Sequence, residues 1–134
     1  MPFVLDASVT LAWALDEHKT EAAEQALRRL MDDSAVAPAN WWFEVRNVLI
    51  VAERRGRRTE AHSVAFLRAM ARLPIEIDRD PDETMVLGLA RRHGLTVHDA
   101  GYLELAMRRQ APLATLDAAL VRAAAVEGVK RLGE

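Results

Sequence analysis

Asp6, Glu44, Asp99 and Asp117 are the residues of this 134-residue chain whose positions suit them best to chemistry. Asp6 closes the apolar run Phe3-Val4-Leu5, and Asp117 closes Pro112-Leu113-Ala114-Thr115-Leu116. Glu44 and Asp99 fall within the apolar stripes of helix-like segments, where an unpaired charge is unfavourable. In a parallel α/β sheet the carboxyl ends of the strands and the nearby helix starts share one crevice. Carboxylates gathered there repel: at about 5 Å and an effective dielectric near 20, each pair costs about 3 kcal/mol. A divalent cation relieves that repulsion, and hard carboxylate oxygens suit Mg²⁺ or Mn²⁺. The chemistry such a site performs on an anionic ester is metal-assisted hydrolysis of a phosphodiester.

Each acid also has an ordinary structural explanation. An aspartate between strand and helix is a common N-cap, which covers Asp6 and Asp117. Asp99 suits the first turn of a helix, where it complements the helix dipole. Glu44 neighbours Trp41 and Val48 and could reach solvent from the edge of its stripe. What favours a site is the convergence of all four. Ser8 and Thr115, each two residues from one of these aspartates, can orient a carboxylate or a water. Asn47 lies one turn beyond Glu44 and can bond it or a metal-bound water. Glu104 and Arg108 form an i,i+4 pair, which assigns Glu104 to the outer face of its helix.

The elements that must position these groups alternate short apolar runs with longer helical ones. Strands are expected over 2–5, 35–38, 74–77 and 112–116, with a possible edge strand over 129–132. Helices are expected from Ser8 to Leu15, Thr20 to Met31, Asn40 to Arg55, Thr59 to Arg72, Pro81 to His93, Thr96 or His98 to Arg109, and Asp117 to Val126. Asn40 serves as a cap in this scheme, and Gly56 and Gly94 as stops. Strands separated by helices imply parallel pairing through right-handed crossovers. The expected fold is α/β: a single three-layer α/β/α domain over residues 1–134, with a mostly parallel sheet of four to five strands.

Composition narrows the function classes. Hydrophobic residues make up 51% of the chain, enough for a packed core. The absence of cysteine excludes thiolate metal sites and cysteine nucleophiles. No apolar stretch reaches membrane-spanning length, and the N-terminus lacks the pattern of a signal peptide, so the expected location is the cytoplasm. Net charge is −2, yet arginines cluster at Arg28-Arg29, Arg54-Arg55-Gly56-Arg57-Arg58, Arg91-Arg92 and Arg108-Arg109. Such pairs either rim the acidic centre to receive a nucleic acid or finish helices as solvated cations. Trp13, Trp41 and Trp42, with Leu11, Leu15 and Phe43, offer more large apolar surface than a small core requires, which would suit an amphipathic partner helix.

Several segments resemble those of a known family. Asp6-Ala7-Ser8, Glu44-Val45-Arg46-Asn47, Leu95-Thr96-Val97-His98-Asp99-Ala100-Gly101-Tyr102-Leu103-Glu104-Leu105-Ala106 and Leu113-Ala114-Thr115-Leu116-Asp117 resemble, in order, the four acidic motifs of PIN-domain ribonucleases. Length and order are similar to the VapC-type toxins of toxin–antitoxin pairs. The resemblance implies a Mg²⁺- or Mn²⁺-dependent endoribonuclease, homodimerisation and a small cognate antitoxin. It implies that Asp6, Glu44, Asp99 and Asp117 hold the metal, with Ser8, Asn47 and Thr115 supporting. Arg46 and His98 depart from the family pattern. Two other readings use some of the same residues. A haloacid-dehalogenase-like phosphatase would phosphorylate Asp6, but needs a second acid at Ser8 and a lysine earlier than Lys130. A receiver-like regulatory module would use Asp78, Thr115 and Lys130, but needs adjacent acids after the first strand.

Overall fold

The computed structural model describes residues 1–15 and 20–134. Four strands, β1 (Phe3–Leu5), β2 (Ala35–Pro38), β3 (Ile75–Asp78) and β4 (Leu113–Ala114), pair in the order β3-β2-β1-β4, all parallel. Phe3, Val4 and Leu5 have no solvent exposure, as expected of a central parallel strand covered on both faces. β3 is an edge strand, and its pattern shows it: Glu76 is exposed, and Ile75 and Ile77 are only partly buried. The expected fifth strand over 129–132 reduces to one bridge, between Arg131 and Leu113. Gly128 and Gly133, with φ of 76° and 94°, bracket that segment and leave it room for little more.

Among the described residues, seven helices join and cover the sheet: α1 (Ala7–Ala14), α2 (Glu21–Arg29), α3 (Ala39–Arg54), α4 (Glu60–Met70), α5 (Glu83–His93), α6 (Val97–Arg109) and α7 (Ala118–Val126). Their starts follow local chemistry. Thr20, Thr59, Asp82, Thr96 and Asp117 each accept a backbone N–H of the first turn through the side chain. Gly94, at φ 63°, ends α5 in the left-handed region, where a Cβ would be strained. α1 packs on α2 and α3, whereas α6 lies against β1, β2 and β4 and is covered by α5 and α7. This is the three-layer arrangement expected.

Two helix assignments need correction. Asn40 is not a cap. Pro38 holds that position without a side-chain bond, and Asn40 sits inside the first turn of α3, free to use its amide elsewhere. Glu104 does not face out either, being only 1% exposed. α6 is buried almost all round, from Ala100 through Ala106, so it has no outer face at that turn. Glu104 is tolerated because Arg108 Nε and the Asp82 N–H donate to Oε1 at 2.6 and 3.1 Å. Arg108 and Arg109 also reach Asp78, so one ionic network ties β3, the start of α5 and the end of α6.

Sheet order decides where a site can form. The chain moves outward from β1 to β2 to β3 and then returns, past β1, to lay down β4 on its other side. The reversal opens a crevice between the carboxyl ends of β1 and β4, where neighbouring connections diverge.

Candidate active site

Asp6 follows the last residue of β1 and stands at this crevice, only 5% exposed. It occupies the N-cap position of α1 but makes no capping bond with its side chain. Its Oδ2 instead accepts two hydroxyls, from Ser8 Oγ at 2.7 Å and Thr115 Oγ1 at 2.6 Å. Ser8 Oγ also accepts the Leu116 N–H at 3.0 Å, and Thr115 Oγ1 the Asp117 N–H at 3.1 Å. These bonds stitch the loop after β1 to the loop after β4. Thr115 leaves the ladder to make them, which explains why β4 is shorter than the apolar run around it.

Glu44 enters from α3. Trp41, Val45, Leu49 and Ala52 turn one stripe of that helix into the core, and the Trp41 indole donates to Thr10 Oγ1 at 2.9 Å. This seating leaves Glu44 half-buried at the edge of the stripe. Its carboxylate is held at both oxygens: Asn40 Nδ2 donates to Oε1 at 2.7 Å and Tyr102 Oη to Oε2 at 2.9 Å. Asn40 also approaches the carbonyl oxygen of His98 at 3.5 Å, linking α3 to the start of α6. Burial pushes the Tyr102 phenol far above its ordinary value, with the charges of Asp6 and Glu44 adding to the effect. It therefore remains a neutral donor.

Asp99 lies in the first turn of α6, where its N–H donates to the Thr96 cap. Asp117 caps α7 through Oδ1, accepting the Leu120 N–H at 3.0 Å. Two of the acids, Asp6 and Asp99, register the charges of the others. Burial raises the Asp6 carboxyl to about 6 against the two hydroxyl bonds, and Glu44 and Asp99 push it the same way. Asp99 is also raised, first by burial and then by Asp117 and Glu44. Among the described residues, no three acidic or histidine side chains converge closely enough to form a ready-made ligand cage. The donor chemistry nonetheless fits a hard divalent ion. Mg²⁺ keeps several of its waters and needs only one or two direct carboxylates, and a set of mutually repelling oxygens is what it would neutralise.

The structure thus brings Asp6, Ser8 and Thr115 into direct contact, with Glu44, Asp99 and Asp117 around them. It does not bring Asn47 to Glu44. Asn47 is exposed, and the amide that serves Glu44 is Asn40, one turn earlier instead of one turn later. Tyr102 and Asn40 are the two residues that sequence reasoning passed over. Asn40 was detectable from its i,i+4 spacing to Glu44. The Tyr102–Glu44 bond, between residues 58 positions apart, was not.

The arginine clusters do not rim the crevice as a set. Arg54 to Arg58 lie at the far end of α3, ten or more residues beyond Glu44, or about 15 Å along the axis. Arg92 pairs with Glu127, and Arg108 and Arg109 with Asp78, Glu76 and Glu104. The helix-end explanation accounts for them. Neither rival arrangement forms. Lys130 is exposed beside Leu113, at the start of β4, and Asp78 is held by two arginines instead of standing free as a phosphoacceptor.

Fold and site together define a parallel α/β domain with a carboxylate crevice at its topological switch point. The sequence matches the family model of the PIN domain over residues 3–126. It is 33% identical over 125 residues to Ribonuclease VapC3 of Pyrobaculum aerophilum, covering 87% of this chain and 90% of that protein. Among solved structures it is similar to PAE2754 from Pyrobaculum aerophilum, with a TM-score of 0.71 and 24% identity over 92% of this chain and 87% of the other. A toxin–antitoxin complex from Klebsiella pneumoniae contains a chain of the same fold, at TM-score 0.53 and 16% identity, covering 83% and 82%. The chain belongs to the PIN-domain family, and its curated relative is of the VapC type.

Proposed function

We propose that this protein is a metal-dependent endoribonuclease acting as the toxin of a toxin–antitoxin pair. The observation that carries the proposal is the hydroxyl-locked, buried Asp6 at the β1/β4 crevice, with Glu44 and Asp99 acting on its charge and Asp117 acting on Asp99. Relationship to a VapC ribonuclease supports RNA as substrate, and the fold shared with a toxin–antitoxin complex supports a cognate antitoxin as partner. A homodimer, a cytoplasmic location and a single domain spanning 1–134 belong to the same reading. No described helix is long and apolar enough to cross a membrane.

Asp6, Glu44, Asp99 and Asp117 would hold Mg²⁺ or Mn²⁺. Such an ion lowers the pKa of water and neutralises charge developing on phosphoryl oxygens. The protein's own part is to fix the acids. Ser8 and Thr115 hold Asp6 Oδ2 so that its other oxygen, Oδ1, can face the crevice. Asn40 and Tyr102 hold both oxygens of Glu44. Asp117 is tied to the start of α7 through Oδ1. Asp99, raised above its ordinary value by burial and by Asp117 and Glu44, or Asp117 would position the attacking water. Because a water and not the ribose 2′-hydroxyl attacks, the expected products carry 5′-phosphate and 3′-hydroxyl ends.

The test is cleavage of a mixed RNA by purified, partner-free protein with Mg²⁺, Mn²⁺ or EDTA, beside Asp99→Asn. Metal-dependent cleavage with 5′-phosphate ends, lost in the variant, is expected. Cleavage that persists in EDTA, or that Asp99→Asn leaves intact, refutes the assignment.

A further inference from the structure

Immediately before Glu44 on α3 stand two aromatic residues that the core does not take up. Phe43 is 69% exposed and Trp42 45%, and their rings meet edge to face with centroids 4.9 Å apart. Arg46 lies over Trp42, its guanidinium carbon 3.9 Å from the ring centroid, and its Nη1 donates to the Trp42 carbonyl oxygen at 3.1 Å. A cation–π contact and a hydrogen bond therefore fix this guanidinium in place. Among the described residues Arg46 makes no ion pair, so its charge is not consumed by the protein, unlike that of Arg92, Arg108 and Arg109. Successive helix positions are 100° apart, which sets Phe43 about a quarter-turn from Glu44, with exposed Asn47 on the surface between their directions.

We propose that Phe43 is a stacking platform for an unpaired base of the RNA substrate, and that Arg46, braced on Trp42, receives an adjacent backbone phosphate. The proposal rests on the ribonuclease reading and adds two residues that grip the strand. A purely apolar partner would gain nothing from an unpaired guanidinium set among the rings. A nucleic-acid strand brings both a base face and a phosphate, and this helix turn immediately precedes Glu44. Bases within an A-form duplex are stacked on one another and unavailable to Phe43, whereas those of a loop or single strand are free.

The experiment compares Phe43→Ala, Phe43→Leu, Phe43→Tyr and Arg46→Gln. Fluorescence anisotropy with a labelled single-stranded RNA of mixed sequence is read in the non-cleaving Asp99→Asn background with Mg²⁺. Steady-state cleavage is read in the otherwise wild-type protein, and mass by sedimentation. Phe43→Ala should weaken RNA binding by about tenfold and raise KM with little change in kcat. Phe43→Tyr should restore both, and Phe43→Leu should not. Arg46→Gln should weaken binding and flatten its salt dependence. Unchanged affinity in Phe43→Ala, or a leucine as good as phenylalanine, overturns the proposal. A changed oligomeric mass accompanying the loss also overturns it and marks the face as a protein interface. If wild-type protein cuts no RNA with either metal, the ribonuclease reading falls first and takes this proposal with it. Wild-type cleavage with an indifferent Phe43 removes only the platform.

Discussion

At the level of single residues, the proposed function and stability pull against each other at Asp6. A carboxylate 5% exposed and facing Glu44 and Asp99 is costly to keep ionised, and burial is the larger of these effects. Asp6→Asn should therefore stabilise the protein in EDTA at neutral pH, by about 1–3 kcal/mol, while abolishing metal-dependent cleavage. Urea denaturation beside a cleavage assay checks both. An equal or lower midpoint for the variant would mean that the two hydroxyl bonds already outweigh the burial. Tyr102→Phe probes the other carboxylate. It removes one donor from Glu44 with almost no change of shape, so kcat should fall by about tenfold, as for loss of one hydrogen bond to a charged group, with the fold intact by circular dichroism.

At the level of elements, the ionic network of Asp78, Glu104, Arg108 and Arg109 joins β3 to α6, and with them the edge of the sheet to its central helix. Asp78, its side chain 7% exposed, receives both nitrogens of the Arg108 fork at 2.9 and 3.0 Å. Those bonds hold its carboxyl well below the usual carboxylate range. A depressed folded pKa means that the unfolded chain binds the proton more readily. The contribution is thus complete above the ordinary aspartate pKa near 4 and is lost as the pH falls through the lower folded value. Asp78→Asn should cost about 2–3 kcal/mol at pH 7, and its deficit against wild type should shrink below about pH 4. Denaturation midpoints from pH 7 to pH 3 measure this. A deficit constant with pH would assign the loss to packing instead of charge.

For the whole molecule, the crevice draws together residues from four places in the chain, so an ion bound there links the loop after β1, α3, α6 and the loop after β4. Ligand binding to the folded state alone stabilises it, by about 2.7 kcal/mol at a hundredfold excess over Kd. Mn²⁺ should accordingly raise the Tm of wild-type protein in a thermal scan, and raise that of Asp6→Asn and Asp99→Asn much less. Equal shifts in all three would place the ion elsewhere.

The sequence by itself determined the class of the fold and the order of its elements, and it singled out the four acids as candidates. Those signals are local: apolar runs at Phe3–Leu5 and Ala35–Pro38, caps at Thr20, Thr59 and Asp117, a stop at Gly94, and carboxylates where strands end or helices begin. It misread Glu104, because an i,i+4 partner says nothing about what lies on the far side of a helix, and α6 turned out to be covered by sheet and helices together. It assigned Asn40 to a cap and Asn47 to Glu44, because helix periodicity gives a neighbour in either direction. Only the tertiary structure decided which amide turned inward, that Tyr102 reaches Glu44, and that Thr115 and Ser8 share one oxygen of Asp6. Those bonds span 58, 109 and 2 residues of chain. The Thr115 bond exists because the return of the chain past β1 sets β4 beside it, and the Tyr102 bond because α6 and α3 both pack on β2, consequences of packing that no local pattern encodes.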